Sequence, residues 1–140
     1  VKWKSDIETV AETSAGFPII ADVDLAVSKQ FDMLPADAYL PDGRTAADSA
    51  SVRSVFIISP DKKVQLIMTY PMSVGRNFAE VLRALDALQA TYQTPIATGA
   101  NWVPGQDVIV ALTVSDEEAK EKFGEVDFKL PYLRLTKAPA

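Results

Sequence analysis

The sequence predicts an α/β fold, and three observations carry that prediction. Residues 52–70 hold two β-rich segments that meet at Pro60-Asp61. From Asn77 onward, Phe78, Val81, Leu82, Leu85 and Leu88 fall at the i, i+3, i+4, i+7 spacing of a helix lying on a sheet. At Pro95 the character changes to short elements punctuated by Pro and Gly. The expected layout is a mixed sheet with strands near 17–21, 52–59 and 64–70, and the 77–91 helix on one face. The chain divides at 94/95, where the tail has too few apolar residues for a core of its own and must pack on the main domain or on a partner subunit.

The elements follow in order. Trp3, Ile7, Val10 and Ala11 have helical spacing, with Ser5 or Asp6 as a cap. No cap precedes Trp3, so the segment reads as the back part of a helix whose front is absent. Phe17-Pro18-Ile19-Ile20-Ala21-Asp22 is a short apolar run after a turn at Gly16 and reads as a strand. Residues 24–33 read as a short helix capped by Asp22 or Asp24. Residues 35–51, rich in Pro, Asp, Gly, Ala and Ser, read as an exposed loop.

Val52, Val55, Phe56, Ile57 and Ile58 form a near-continuous apolar run, the pattern of a strand covered on both faces. Pro60-Asp61-Lys62-Lys63 is the hairpin turn, residues 64–70 are the return strand, and Pro71 ends it. Asn77 with Glu80 has the spacing of a capping box. Beyond Pro95, residues 107–112 read as a strand. Residues 115–123 read as a helix with acids in its first turn, stopped by Gly124, and residues 129–136 as a last strand.

Composition excludes several functions. A net charge of −5 and a pI of about 4.7 argue against a non-specific nucleic-acid binder, which needs a basic face. No apolar run approaches the roughly 20 residues of a membrane-spanning helix, and no lipidation motif is visible. With neither cysteine nor histidine, this sequence has no thiol nucleophile, no histidine base and no thiolate or imidazole zinc site. No pattern points to a cofactor or metal, and the cytoplasm is the default compartment.

Two arginines stand out beside apolar segments. Arg53 opens the 52–59 strand. It either reaches solvent and pairs with a carboxylate, or aims a guanidinium at an anion or polarised oxygen in a site. Arg76, in Gly75-Arg76-Asn77, either organises that turn or serves the same site. Asp61 reads as a turn residue, Asp116, Glu117 and Glu118 as a solvated helix start, and Trp3 and Trp102 as packing residues.

These segments, in this order, resemble the C-terminal two-thirds of a one-cysteine peroxiredoxin of the long, mammalian-type subfamily. The resemblance rests on Trp3-Lys4-Ser5-Asp6-Ile7, Phe17–Asp22, Val52–Lys63, Tyr70-Pro71 and Gly75-Arg76-Asn77-Phe78. In the tail it rests on Ala97-Thr98, Asn101-Trp102, Pro104-Gly105, Asp116–Ala119 and Tyr132-Leu133-Arg134. It implies a thioredoxin-like α/β fold, a partial peroxiredoxin domain over 1–94, and a dimerisation arm over 95–140. It also implies an antioxidant thiol peroxidase, an oxidoreductase of redox homeostasis whose partners are a peroxide substrate and a thiol reductant.

In the family an arginine matching Arg53 lowers the thiol pKa and orients the peroxide, and one matching Arg76 supports the same network. A fixed cation does this by favouring thiolate over thiol and by stabilising charge on the departing oxygen. Asp61 matches an aspartate tied to a lipase-like activity in some members, which also needs a serine and a histidine from the front of the fold. The family's Pro-Val-Cys-Thr motif and the first central strands would lie upstream of Val1. This polypeptide is therefore expected to be inactive alone. It is read as part of a homodimeric peroxidase, as one half of a split enzyme with a cysteine-bearing companion chain, or as a non-catalytic interaction module.

Overall fold

A computed structural model describes residues 2–34 and 50–139. The loop expected over 35–51 lies almost wholly outside the described residues. The chain forms two compact units, Val1–Ser51 and Val52–Ala140.

In the first unit, helix α1 (Lys2–Ala11) buries none of its residues, and Trp3 is exposed rather than packed. Helix α2 (Ala26–Gln30) is shorter than expected. Asp22 starts it, accepting hydrogen bonds from the Val27 amide (2.9 Å), the Ser28 amide (2.8 Å) and the Ser28 hydroxyl (2.6 Å). A carboxylate here satisfies amides that the first turn leaves without partners. The strand expected at 17–21 does not form, and Phe17, Ile19 and Ile20 stand exposed. An apolar run becomes a strand only when a neighbour takes its amides and carbonyls, and none among the described residues does.

The second unit opens with a hairpin, β1 (Arg53–Ile58) and β2 (Val64–Tyr70), antiparallel with Arg53 opposite Tyr70 and Phe56 opposite Ile67. The turn is closed by the Lys62 amide on the Ser59 carbonyl (2.9 Å) and the Ser59 amide on the Lys63 carbonyl (2.9 Å). Lys62 takes a left-handed φ of 63°, the conformation that lets a longer hairpin loop rejoin its strand. Helix α3 (Phe78–Thr91) lies on the face carrying Ile57 and Leu66, since both line clefts with α3 residues. On the other face Ile67 is exposed.

Asn77 caps α3 by accepting from the Glu80 amide (3.2 Å). The reciprocal half of the box is absent, because the Glu80 carboxylate turns to Arg83 at 2.6 and 2.8 Å. Helix α4 (Asp116–Phe123) has the complete box, with Ser115 and Glu118 each bonded to the other's amide.

A second antiparallel sheet has the order β3-β4-β6-β5, from β3 (Ile96–Ala97), β4 (Asp107–Val110), β5 (Asp127–Leu130) and β6 (Leu133–Lys137). One mixed sheet was expected; the described strands form two separate antiparallel sheets. The single strand expected over 129–136 is a hairpin, broken at Pro131-Tyr132 because proline lacks the amide a ladder needs. The core lies here. Ile96, Trp102 and Val108 pack with Ala87 and Ala90 of α3, and Val110 and Val114 pack with Ala119 of α4. Phe123 touches both groups.

Candidate functional site

Arg53 sits where β1 begins. Its Nε donates to the Met72 carbonyl at 2.8 Å, across the turn that follows β2. That turn is closed by the Val74 amide on the Pro71 carbonyl (3.0 Å). One bond to a fixed carbonyl restrains a long side chain without consuming its charge. The two terminal nitrogens make no hydrogen bond to the described residues, and no described carboxylate pairs with them. The side chain is exposed. The arrangement is a tethered cation with four N–H groups free for an anion or a polarised oxygen.

Arg76 lies four residues beyond Met72, just before the α3 cap. Its guanidinium carbon stands 5.6 Å from the centre of the exposed Phe78 ring. Such a contact at an exposed position contributes about 0.5–1 kcal/mol and orients the charge. Arg53, through its bond to Met72, and Arg76 thus meet one short segment, residues 71–76, although they share no bonding partner among the described residues.

Asp61 is engaged within its own turn. The Ser59 hydroxyl, buried, lies against Asp61 Oδ1 and at 3.0 Å from the Lys63 carbonyl, and it accepts from Gln65 Nε2 at 3.1 Å. Lys63 Nζ reaches Asp61 Oδ2 at 2.9 Å. The Ser59 hydroxyl first, and Lys63 second, hold the Asp61 carboxyl below the usual aspartate value. A carboxyl depressed on folding stabilises the fold fully above its unfolded pKa, and that contribution fades as pH falls through the folded value. Thermal melts from neutral pH downward should therefore show Asp61→Asn less stable than the parent at neutral pH. The gap should close through the acidic carboxylate range, and a gap independent of pH would reject this role.

A cleft of about 540 Å³ lies at the far end of the hairpin from Arg53, lined by Ile57, Ser59, Gln65, Leu85, Leu88 and Gln89 among others. It contains neither arginine. Among the described residues, no group of acidic side chains could hold a metal ion, and no helix is long and apolar enough to cross a membrane.

Sequence reasoning assigned Arg134 no role, yet it is the most buried charge described, at 3 % exposed. Its two terminal nitrogens donate to the carbonyls of Ala111 and Val114 and to Asp116 Oδ1, each at 2.8 Å. It clasps the turn between β4 and α4 to β6. The only signal for it in the sequence, the alternation Leu133-Arg134-Leu135-Thr136, points the wrong way. It is Arg134 and Thr136 that are buried, while the leucines are half-buried.

A family model for the C-terminal domain of 1-Cys peroxiredoxin matches residues 87–125. The mitochondrial peroxiredoxin PRX1 of Saccharomyces cerevisiae is 46% identical over 140 residues, covering 98% of this chain and 52% of that protein. A 1-Cys peroxiredoxin of Dictyostelium discoideum is 41% identical, covering 99% and 55%. A probable 1-Cys peroxiredoxin of Bromus secalinus is 41% identical, covering 97% and 68%. The chain thus spans about half the length of the first two relatives. Among solved structures, the yeast mitochondrial 1-Cys peroxiredoxin superposes with a TM-score of 0.80 at 46% identity, over 97% of this chain and 63% of that one. Peroxiredoxin 6 of Arenicola marina superposes with a TM-score of 0.84 at 39% identity, over 99% and 64%. The thioredoxin-like peroxiredoxin fold inferred from the residues is borne out, as part of a longer fold in those relatives.

Proposed function

Because the chain belongs to the 1-Cys peroxiredoxin family, we propose that it supplies the cationic half of a thiol-dependent peroxidase reducing hydrogen peroxide and organic hydroperoxides. The observation that supports this is Arg53, tethered through Nε at 2.8 Å to the Met72 carbonyl with its terminal N–H groups open. A guanidinium so held keeps a neighbouring thiol ionised. It also stabilises the hydroxide or alkoxide that leaves when sulfur attacks the peroxide oxygen. Arg76 serves as the supporting cation. The thiol comes from elsewhere, because the 140 residues contain no cysteine.

Residues 1–94 are assigned to the partial thioredoxin-like domain and 95–140 to an arm that contacts a partner subunit in a homodimer. The exposed Leu112 and Tyr132 of the arm favour that contact. The thiol of the yeast relative is resolved via glutathione/thioredoxin systems, and a reductant of that kind is proposed here. The cytoplasm is the proposed compartment, with the mitochondrion of the S. cerevisiae relative as the competing one. The absence of a thiol favours one second reading, a non-catalytic dimerisation module.

The test joins this chain to the cysteine-bearing part of a 1-Cys peroxiredoxin, as a companion polypeptide or fused ahead of Val1. The chain alone should consume no peroxide with a thiol reductant, and the joined protein should turn over. Arg53→Ala in the joined protein should lower kcat/KM about a hundredfold, the lower range for one charge-stabilising donor. Unchanged turnover would reject the role of Arg53.

A further inference from the structure

We propose that Met72 is a peroxide-oxidised modification site, made selective by the arginine tethered to its own backbone. The inference rests on the reading of Arg53 as the peroxide-binding cation. With no cysteine present, the only sulfur atoms in the chain are those of Met33, Met68 and Met72. Met33 and Met68 are half-buried, and Met68 points to the α3 side of the hairpin, opposite Val55. Met72 is 41% exposed. Its carbonyl accepts from Arg53 Nε, and the turn closed between Pro71 and Val74 fixes that carbonyl. The backbone of Met72 thus lies within hydrogen-bond reach of a guanidinium whose terminal N–H groups have no described partner.

The step balances with hydrogen peroxide as the oxidant. The Met72 sulfur attacks one peroxide oxygen, so that a sulfur–oxygen bond forms and the oxygen–oxygen bond breaks. Hydroxide leaves, and the hydroxysulfonium proton passes to it. The products are methionine sulfoxide and water, with sulfur oxidised and peroxide reduced. Charge on the departing oxygen is what a guanidinium stabilises. The product replaces a flexible apolar side chain by a polar one and is enzymatically reversible. It would alter the turn that anchors Arg53, so excess peroxide would act on the segment that positions the cation.

The experiment treats the full chain with hydrogen peroxide and, separately, with hypochlorite, an oxidant that needs no arginine, and follows each methionine by peptide mass analysis. With peroxide, Met72 should oxidise about fivefold faster than Met33 or Met68, and Arg53→Ala should remove most of that advantage, the scale of one exposed charge interaction. With hypochlorite, Met72 should react equally in the parent and in Arg53→Ala, which shows that its exposure is unchanged. Equal peroxide rates at the three methionines, or a parallel fall with both oxidants, would overturn the proposal. If Arg53→Ala lowers turnover of the joined peroxidase while Met72 shows no selectivity, only this inference fails. If turnover is unchanged, the reading beneath it fails.

Discussion

Replacing Arg134 by alanine should destabilise the Val52–Ala140 unit by about 1–3 kcal/mol, the scale of leaving a buried acceptor without its donor. The substitution strands the Val114 carbonyl, takes one of two donors from the Ala111 carbonyl, which keeps the Val114 amide at 3.1 Å, and takes the cation from Asp116. Each buried carbonyl left without a donor costs about 1–3 kcal/mol. Arg134 Nε has no partner among the described residues, so part of the guanidinium's desolvation is uncompensated and the net effect stays below the sum of three bonds. Arg134→Lys should recover only a fraction, because one ammonium cannot reach three acceptors set apart on two sides of a turn. Urea unfolding followed by far-ultraviolet circular dichroism measures both variants. A change within about 0.5 kcal/mol for alanine, the range of ordinary surface substitutions, would show that the clasp contributes nothing.

Trp102→Ala is expected to cost about 3–5 kcal/mol, the range for emptying a buried aromatic site. Trp102 is 3% exposed and packs with Ile96 and Val108 against Ala87, Ala90, Phe123 and Ala138. Small alanines line much of that site and cannot extend to fill the space. The indole Nε1 also donates to the Gln106 carbonyl at 3.1 Å, and the Trp102 carbonyl accepts from Arg83 at 3.1 Å. Trp102→Phe keeps most of the ring volume and loses the indole bond, so about 1 kcal/mol beyond the packing change should be lost. The same urea titration separates the two. Equal losses for Ala and Phe would mean that the hydrogen bond, not the packing, dominates.

Local chemistry was legible in the residues. The spacing from Phe78 to Leu88 and the Asn77 cap mark α3, the acids of the first turn and Gly124 mark α4, and Pro60-Asp61 marks the hairpin turn. Each signal lies within a few residues of what it predicts. The misses share the opposite property. The run at 17–20 has a strand's composition, but a strand depends on a neighbour that local sequence does not name. Arg134 acts through groups 18 to 23 residues away, and its placement inverts the usual inward direction of leucines. Arg53 was found by its oddness beside an apolar run, yet its anchor, the Met72 carbonyl, lies 19 residues on. Of the two tryptophans read as packing residues, Trp102 is one and Trp3 stands exposed.

The exposed side of the β1–β2 hairpin carries a consequence for the colloidal behaviour of the chain. Among the described residues, Ile58, Val64 and Ile67 are exposed apolar side chains on a hairpin whose strands pair only with each other. At neutral pH a net charge of −5 opposes non-specific association. Near the isoelectric point of about 4.7 that repulsion vanishes while the exposed apolar side chains are unchanged, so light scattering at fixed concentration should rise as the pH falls towards it.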